Sequence, residues 1–423
     1  MNEHSTAESA CTDMPLDLAV IGGGAAGFFA ALQYAEMAPG KSVAIFEKGA
    51  HYLQKVKISG GGRCNVTHAC DDPRALAKNY PRGGRELEGA FRHWQPADTV
   101  AWFKRCGVLL KTEADGRMFP ISDRSESIIE CFLERARACR IPLWPRHPLC
   151  GIEALAGGGF ALHFTNLTEP IRARAVCLAV GSLQGSALLK PLHMLDQALE
   201  PLVPSLFAFN VNDRCLSGLS GVAHPLVAIR VAGAGAAQRG PMLITHRGLS
   251  GPAILRLSAW EARAMAAANY HVPVVVDWLP ELTPQVVQAR CADIRQQQGA
   301  KLVRNTPIAP IPRRLWERLV ACCEIADAVT WSQMSKPATR ALLDALKATR
   351  FEVTGKTTHK DEFVTCGGIA RQSIDFRTMQ SRVTRGLYFA GECIDIDGLT
   401  GGFNFQAAWT TAFLAARAIA EGT

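Results

Sequence analysis

The chain has 423 residues, of which 48% are hydrophobic and 20% charged, a composition typical of soluble globular proteins. Its length suffices for two or three domains with a large core, and no stretch approaches the roughly 20 apolar residues that cross a bilayer. The segment MNEHSTAESACTDM lacks the apolar core of a secretory signal. We therefore expect a disordered tail over residues 1–14 and a cytoplasmic protein.

Fourteen cysteines and a formal net charge of +8 are the unusual features of the composition. No two cysteines form a C-x-x-C pair, and most lie in apolar surroundings, so we expect reduced thiols. The adjacent Cys322 and Cys323 have poor geometry for a redox pair. The charge raises the alternative of a nucleic-acid partner. Because the basic residues are scattered, a solvated surface and anionic ligands are favoured, with no stable nucleic-acid or membrane partner.

The first element is an apolar strand that ends in glycines, within LDLAVIGGGAAG. The residues that follow have helical composition, so Gly22, Gly24 and Gly27 fit G-x-G-x-x-G between a strand and a helix. In that motif the first glycine permits the turn, the second lets backbone approach a pyrophosphate, and the third lets the helix pack closely. The next strand, VAIF, ends at Glu47, where an acidic residue binds a ribose hydroxyl. The pattern predicts a dinucleotide site.

The second glycine-rich segment, KISGGGRCNVTH, combines three glycines with basic residues. Such a loop suits close approach of the backbone to a large, flat or anionic ligand. Cys64 within it has two alternatives. Arg63 and Lys57 can lower its pKa and make it reactive, or the thiol packs beside the ligand, which we favour.

The middle of the chain predicts an α/β protein with an insertion. Asp123 and Glu126 form a capping-box-like pair ahead of a helix with a buried stripe, and the buried strand AVCLAV ends at Gly181. From about Leu195 short strands joined by turn residues predict an antiparallel sheet or small barrel. Residues 281–350 have a polar helical pattern.

Two glycine-containing segments in the insertion are candidates for ligand contact. VAGAGAAQRG nearly matches a second dinucleotide motif, but no long helix can follow it, so we interpret it as a hairpin loop. With that interpretation, the sequence contains no obvious site for a stably bound nicotinamide cofactor. THRGLSGPAIL is a turn that opens a helix, stiffened by glycine and proline. It carries His246 and Arg247, which either contact a ligand or belong to a purely structural turn.

The C-terminal segment GLYFAGECIDIDGLTGGFNFQAAW contains a strand, Leu387 to Ala390, and a glycine-rich loop that opens a final helix. The N-terminus of that helix favours electron density on a nearby ring. Two ligand-facing turns from opposite ends of the chain imply a ligand longer than one nucleotide. We find no H-E-x-x-H and no C-x-x-C, and we expect neither a metal site nor a Ser/His/Asp triad.

Four segments together resemble the two-dinucleotide-binding-domain flavoproteins, and within them the YhiN/BaiN-like family of NAD(P)/FAD-dependent oxidoreductases. They are VIGGGAAG, ISGGGRCNVTH, THRGLSGPAIL and the C-terminal segment, and they span residues 20–409. The second and fourth are specific to the family. The resemblance implies a Rossmann-type FAD-binding domain with an inserted β-rich, barrel-like domain and a helical subdomain. It further implies non-covalent FAD and NAD(P)H as a transient electron donor.

The resemblance also assigns site residues. It places Gly22, Gly24 and Gly27 at the pyrophosphate and Glu47 at the adenosine ribose. It places the Gly61-Gly62-Arg63 loop on the flavin side, and Asn404 and Phe405 under the pyrimidine edge. Leu149 is expected near adenine, and Glu392 near the pyrophosphate or ribityl chain. The other expected cofactor-binding residues are Ala26, Lys48, Gly181, Gly391 and Gly402. For catalysis, His246 and Arg247 are the candidates for polarising a substrate.

The domain boundaries follow from these patterns. We predict an FAD-binding domain over 15–194 plus 366–423, a β-rich domain over 195–280 plus 351–365, and a helical subdomain over 281–350. The predicted function is hydride transfer between NAD(P)H and a small organic substrate through flavin N5. One alternative is a flavoprotein that acts on RNA, as in tRNA modification. Another is an FAD-binding protein without turnover, since Ser182 replaces a glycine that family members usually have and the loop after Gly181 is short.

Overall fold

The computed structural model describes residues 14–233, 235–357 and 364–422, so nearly all of the predicted disordered tail lies outside the described residues. These residues fall into two compact units. The first unit runs to Val203 and resumes at Val364, and the second consists of the residues between them. None of the described helices is long and apolar enough to span a membrane.

The described residues form twenty strands and thirteen α-helices. The strands are β1 Leu16–Ile21, β2 Val43–Phe46, β3 Thr67–His68, β4 Leu110–Thr112, β5 Arg117–Pro120, β6 Leu143–Trp144, β7 Leu149–Ala154, β8 Phe160–Phe164, β9 Ile171–Leu178, β10 Leu199–Ser205, β11 Ala208–Val211, β12 Ala223–Val231, β13 Gln238–Thr245, β14 Gly248–Ser250, β15 His271–Asp277, β16 Thr349–Thr357, β17 Val364–Ile369, β18 Ile374–Asp375, β19 Gln380–Ser381 and β20 Leu387–Phe389. The helices are α1 Ala25–Met37, α2 Gln54–Gly62, α3 Pro73–Ala77, α4 Gly84–Phe91, α5 Pro96–Arg105, α6 Glu126–Ala138, α7 Leu189–Met194, α8 Pro252–Trp260, α9 Ala262–Ala267, α10 Pro284–Gln297, α11 Arg313–Cys322, α12 Lys336–Ala348 and α13 Phe403–Glu421.

The main sheet of the first unit has the strand order β18-β19-β20-β9-β1-β2-β6, with the β7–β8 hairpin attached to β9. At its centre β1 pairs in parallel with β2 and with β9, and β20 pairs in parallel with β9. The carboxyl ends of these strands therefore meet at one edge, where open α/β sheets bind their ligands. Both glycine-rich turns, after β1 and after β20, lie at this edge.

The helices that follow these two turns are buried almost all round. Every residue of α1 from Ala26 to Tyr34 is buried, as is most of α13. Aromatic rings fill the space beside them: the ring of Phe29 lies 5.0–5.4 Å from the rings of Trp94, Trp102 and Trp409. Such all-round burial explains why neither helix shows a clear amphipathic period in the sequence.

The second unit contains a closed antiparallel barrel, β11-β14-β13-β12-β15-β16. Helices α10 to α12 pack on this barrel, and the barrel and helices share one hydrophobic core. β12 and β13 are antiparallel neighbours, so VAGAGAAQRG connects a hairpin, as predicted. A Rossmann-type α/β fold with a barrel-like insertion and helices confirms the predicted fold class.

One prediction about the cysteines is wrong. Cys215 and Cys322 are joined by a disulfide with a Cα–Cα separation of 6.0 Å, while the other described cysteines form no disulfide. The two residues are 107 positions apart in the sequence. Because spacing alone does not show which distant cysteines the fold brings together, the pair could not be read from the chain.

Candidate cofactor-binding site

The three glycines of the β1–α1 turn are required for different reasons. Gly22 has φ +110°, and a Cβ there would collide with the carbonyl oxygen of Ala179. A Cβ on Gly27 would collide with the carbonyl oxygen of Gly22. Gly24 has φ −93°, which any residue can adopt, and a Cβ there would meet nothing within 4 Å. Packing therefore explains Gly22 and Gly27, whereas Gly24 leaves an open space that a ligand backbone or phosphate can fill.

The N-terminus of α1 borders this open space and is suited to an anion. Gly24 is its N-cap, no side chain caps the helix, and its first turn contains no acidic residue. The first amide N–H groups of a helix have no intrahelical acceptor and carry its positive dipole end. The buried Ala26 packs against Gly391, whose hypothetical Cβ would lie 3.0 Å from the Ala26 Cβ. A pyrophosphate fits this environment without any cationic side chain.

Glu47 lies beside the same turn and is fixed by backbone. Its Oε2 accepts a hydrogen bond from the Gly23 N–H at 2.7 Å, and its Oε1 accepts one from the Gly49 N–H at 2.7 Å. A carboxylate has further lone pairs, so two sugar hydroxyls can still donate to it. Tyr52 packs against Gly23, and burial together with the nearby Glu47 charge raises the pKa of its phenol. Lys48, the next residue, is exposed.

The glycines after Ser59 interrupt α2 and leave a second open space. Gly60 and Gly61 have left-handed backbone conformations inside the helix, and a Cβ on Gly61 or Gly62 would meet nothing within 4 Å. The Arg63 side chain contacts other protein groups. Its guanidinium donates to Glu113 at 2.6 Å and stacks 3.9 Å from the Phe119 ring centre. The loop backbone, rather than this arginine, is therefore available to a ligand.

Cys64 is buried in this segment. Burial raises the pKa of its thiol to about 12, so the thiol is neutral at physiological pH. Of the two alternatives for Cys64, the structure supports packing and not an activated thiolate.

The second uncapped helix N-terminus belongs to α13. Gly402 is its N-cap at φ +91°, and a Cβ there would collide with the carbonyl oxygen of Thr67. The first turn contains no acidic residue and no side-chain cap. Asn404 is used locally, because its side chain accepts from the Gly398 N–H at 2.8 Å and donates to the Gly398 carbonyl at 2.9 Å. Phe405 stacks on Trp409 with 5.6 Å between ring centres.

Glu392 connects the residues around β20. It accepts a hydrogen bond from the Thr365 N–H at 3.1 Å and forms an ion pair with Lys55. The hypothetical Cβ of Gly181 would lie 3.7 Å from its Oε2, which places both predicted residues together. Ser182 stands where family members usually have a glycine, and its Oγ accepts a hydrogen bond from the Thr365 hydroxyl at 2.7 Å.

The predicted adenine neighbour, Leu149, lies at the edge of the β7–β8 hairpin. It begins β7, is buried, and pairs with Phe164. No sequence signal beyond the resemblance pointed to it.

Two ion pairs of buried aspartates were missed at the sequence level. Arg82 forms a two-pronged ion pair with Asp397, and Arg371 lies 3.4 Å from the carboxylate of Asp395. Both aspartates are fully buried in the loop that leads into α13. In CIDIDG, apolar residues alternate with aspartates. This pattern could have indicated buried carboxylates, and buried charges require partners. The identity of those partners was not readable, since Arg82 is 315 positions away.

The glycine loop before α13 is held by further contacts from the second glycine-rich segment. The ring nitrogen Nδ1 of His68 lies 3.0 Å from the carbonyl oxygen of Gly401, and the His68 ring stacks 4.6 Å from that of Phe403. The indole N–H of Trp409 donates to the Val66 carbonyl at 2.9 Å. These contacts join the two family-specific segments to each other.

His246 and Arg247 lie in the second unit, in the turn between β13 and β14. Both are exposed, and the Arg247 carbonyl accepts a hydrogen bond from the Val211 N–H at 2.9 Å. A Cβ on the following Gly248 would collide with the Phe209 carbonyl, so barrel packing determines the turn. The catalytic role of both side chains stays a prediction. Within the described chain no group of three or more His, Cys, Asp or Glu can hold a metal ion.

Comparison with known proteins gives the family context. The chain is 28% identical over 411 residues to a ribosomal RNA dihydrouridine synthase of Escherichia coli, covering 95% of this chain and 97% of that protein. It is 26% identical over 412 residues to a 3-dehydro-bile acid delta(4,6)-reductase of Clostridium scindens, covering 96% and 99%. Among solved structures, it matches a 3-ketosteroid-delta4-(5alpha)-dehydrogenase of Rhodococcus jostii with TM-score 0.51 and 12% identity, covering 98% and 99% of the two chains. This last likeness shows the fold alone.

The family model described as "HI0933-like protein Rossmann domain" matches residues 16–418. The match includes both glycine-rich turns, the barrel and α13 up to its last residues. The chain therefore belongs to the HI0933-like family of Rossmann-fold, FAD-dependent oxidoreductases.

Proposed function

We propose that this protein takes electrons from NAD(P)H and reduces a carbon–carbon double bond that is conjugated to a carbonyl group. The open space at Gly24, in front of an uncapped helix N-terminus, is the observation that carries the FAD assignment. The substrate chemistry rests on the relatives. Formation of dihydrouridine and reduction of a delta(4,6)-dehydro bile acid both saturate such a conjugated bond.

Each of these segments would have a task toward FAD. The α1 N-terminus and Gly24 would hold the pyrophosphate, and Glu47 would accept hydrogen bonds from ribose hydroxyls. The Gly61-Gly62 backbone would contact the flavin, and the α13 N-terminus would favour negative charge at its pyrimidine edge. Bound FAD supplies hydride chemistry at N5 that no side chain can provide.

His246 and Arg247 are proposed to act on the substrate. Hydride addition to a conjugated bond places negative charge on the carbonyl oxygen, so a nearby proton donor or cation accelerates it. A general acid contributes about 10²–10⁴-fold. His246→Ala should therefore slow reduction by that order while FAD content is unchanged. Arg247→Ala should chiefly raise the KM for an anionic substrate or for NADPH.

The proposed function is tested with purified, FAD-loaded protein under anaerobic conditions. NADH or NADPH should bleach the flavin absorbance, and a steroid enone or a uracil compound should restore it. Bleaching without reoxidation by any conjugated acceptor would support an FAD-binding protein of different chemistry. Absence of bleaching by either nicotinamide would refute NAD(P)H as the donor.

A second candidate is reduction of uracil within RNA. Two observations favour it: the similarity to ribosomal RNA dihydrouridine synthases, and the charge of the helical segment. Residues 281–350 contain eleven Lys or Arg against six Asp or Glu, a surplus of five within a total of +8. Offering free uridine and a ribosomal RNA transcript as alternative acceptors separates the two candidates.

A further inference from the structure

Three arginines gather on one surface of the second unit. Arg214 belongs to the short turn Arg214–Leu216, and Arg314 and Arg318 lie one helical turn apart on α11. The Arg314 guanidinium donates to the Gly218 carbonyl at 2.5 Å, and that of Arg318 donates to the Ser217 carbonyl at 2.8 Å. Arg214 reaches back and donates to the Cys322 carbonyl at 3.4 Å. We call these three residues the arginine cluster.

The charge of the arginine cluster is not neutralised. Among the described residues no carboxylate forms an ion pair with any of the three, whereas the adjacent Arg313 pairs with Glu317 at 2.9 Å. Backbone carbonyls orient a guanidinium but carry no net charge. Each guanidinium has five N–H donors, so most donors of the exposed Arg214 and Arg314 face solvent.

The cluster is rigidly mounted. The Cys215–Cys322 disulfide joins the Arg214–Leu216 turn to the end of α11. Leu216, Leu315 and Leu319 beneath it are buried in the shared core. A guanidinium held in place by a carbonyl and a fixed backbone loses less conformational freedom on binding than a free lysine.

We propose that the arginine cluster is a docking surface for the phosphate backbone of RNA. The planar donor fork of arginine matches two oxygens of a phosphate. Three unneutralised forks on one surface offer more donors than a single carboxylate of a small substrate can use, and a chain of phosphates can use them all. The proposal rests on the second candidate function, reduction of uracil within RNA, and the charge surplus of residues 281–350 supports it.

The test measures binding of a ribosomal RNA transcript to the full-length, FAD-loaded protein by filter retention between 50 and 200 mM salt. Each phosphate contact contributes about 0.7–0.9 to the slope of log affinity against log salt. The triple variant Arg214→Gln, Arg314→Gln, Arg318→Gln should make that slope shallower, reducing its magnitude by about 2–3. Flavin content and the thermal melting curve check that the variant is folded.

A matched control removes the same charge from arginines that already have carboxylate partners. It changes Arg313, Arg340 and Arg350, which pair with Glu317, Asp344 and Glu352. This control should lower the slope by less than 1. An equal loss in both triple variants, or no loss in the first, would overturn the docking surface. A triple lysine variant of the cluster keeps the charge without the fork, and it should recover only part of the affinity.

Failure of the docking surface is distinguishable from failure of the proposed function. Reduction of free uridine or a steroid enone with NAD(P)H should be the same in the cluster variant and the parent protein. If the cluster binds RNA but no conjugated acceptor is reduced, the chemistry is wrong and the surface stands. If acceptors are reduced and the slope is unchanged, the surface is wrong and the chemistry stands.

Discussion

Replacement of Gly24 is the sharpest test of the cofactor site. Gly24 has φ −93° and ψ −170°, a conformation that valine adopts without strain, and apart from its adjoining residues nothing lies within 4 Å of its hypothetical Cβ. Gly24→Val should therefore leave the protein folded. Its side chain would occupy the space in which we place the pyrophosphate, so the variant should lose FAD.

The variant should cause a large loss of FAD affinity and only a small loss of folding stability. Displacing an anion from one backbone N–H removes a charge-assisted hydrogen bond of about 1.5–3 kcal/mol, which corresponds to roughly 10–150-fold in FAD affinity. Exchanging an N-cap glycine for a non-capping residue costs about 0.5–1 kcal/mol. That cost lowers the melting temperature of the protein without FAD by about 1–2 °C.

Two controls accompany this variant. Gly157 lies exposed in the β7–β8 hairpin, its hypothetical Cβ meets nothing within 4 Å, and Gly157→Val should change neither quantity. Gly27→Ala should instead destabilise the protein without FAD, because its Cβ would collide with the Gly22 carbonyl. The assay is FAD titration of the deflavinated protein by fluorescence quenching, with melting curves in parallel. Unchanged FAD affinity in Gly24→Val would refute our placement of the pyrophosphate.

Two further predictions concern a buried ion pair and the half-buried thiol of Cys106. Asp397→Asn should lower the free energy of unfolding by about 3–5 kcal/mol, because it removes the negative charge that pairs with the buried Arg82. Denaturant unfolding measures this free energy, and a change below about 1 kcal/mol would contradict the prediction. The thiol of Cys106 has its pKa lowered, chiefly by a hydrogen bond from Cys131 and also by Arg135, whereas burial raises that of Cys64 to about 12. A lowered pKa gives more thiolate at a given pH, so iodoacetamide at pH 8 should label Cys106 long before Cys64, as peptide mass spectrometry would show; equal rates would disprove the assignment.

The sequence by itself determined the elements whose signal is local. The strand, glycine turn and helix around Gly22 to Gly27 lie within a dozen residues, and so do the C-terminal strand and the glycine loop before α13. Each is indicated by residue types that lie next to one another in the sequence, an apolar run followed by glycines and a helical pattern. The motif predicted close packing at Gly27 and a pyrophosphate at Gly24, but it did not show that a Cβ at Gly22 would collide with a distant carbonyl group. That group is the Ala179 carbonyl, which the neighbouring strand β9 brings into place.

Only the tertiary structure decided the long-range pairings. Arg82 with Asp397, Cys215 with Cys322, and the arginine cluster each join residues roughly 100–300 positions apart. Basic residues that look scattered along the chain become one charged surface when α11 packs beside the Arg214–Leu216 turn. The physical reason is that hydrophobic burial selects which elements pack together without regard to their distance in sequence. Polar partners are then fixed by that packing, since every buried charge must be paired where the fold places it.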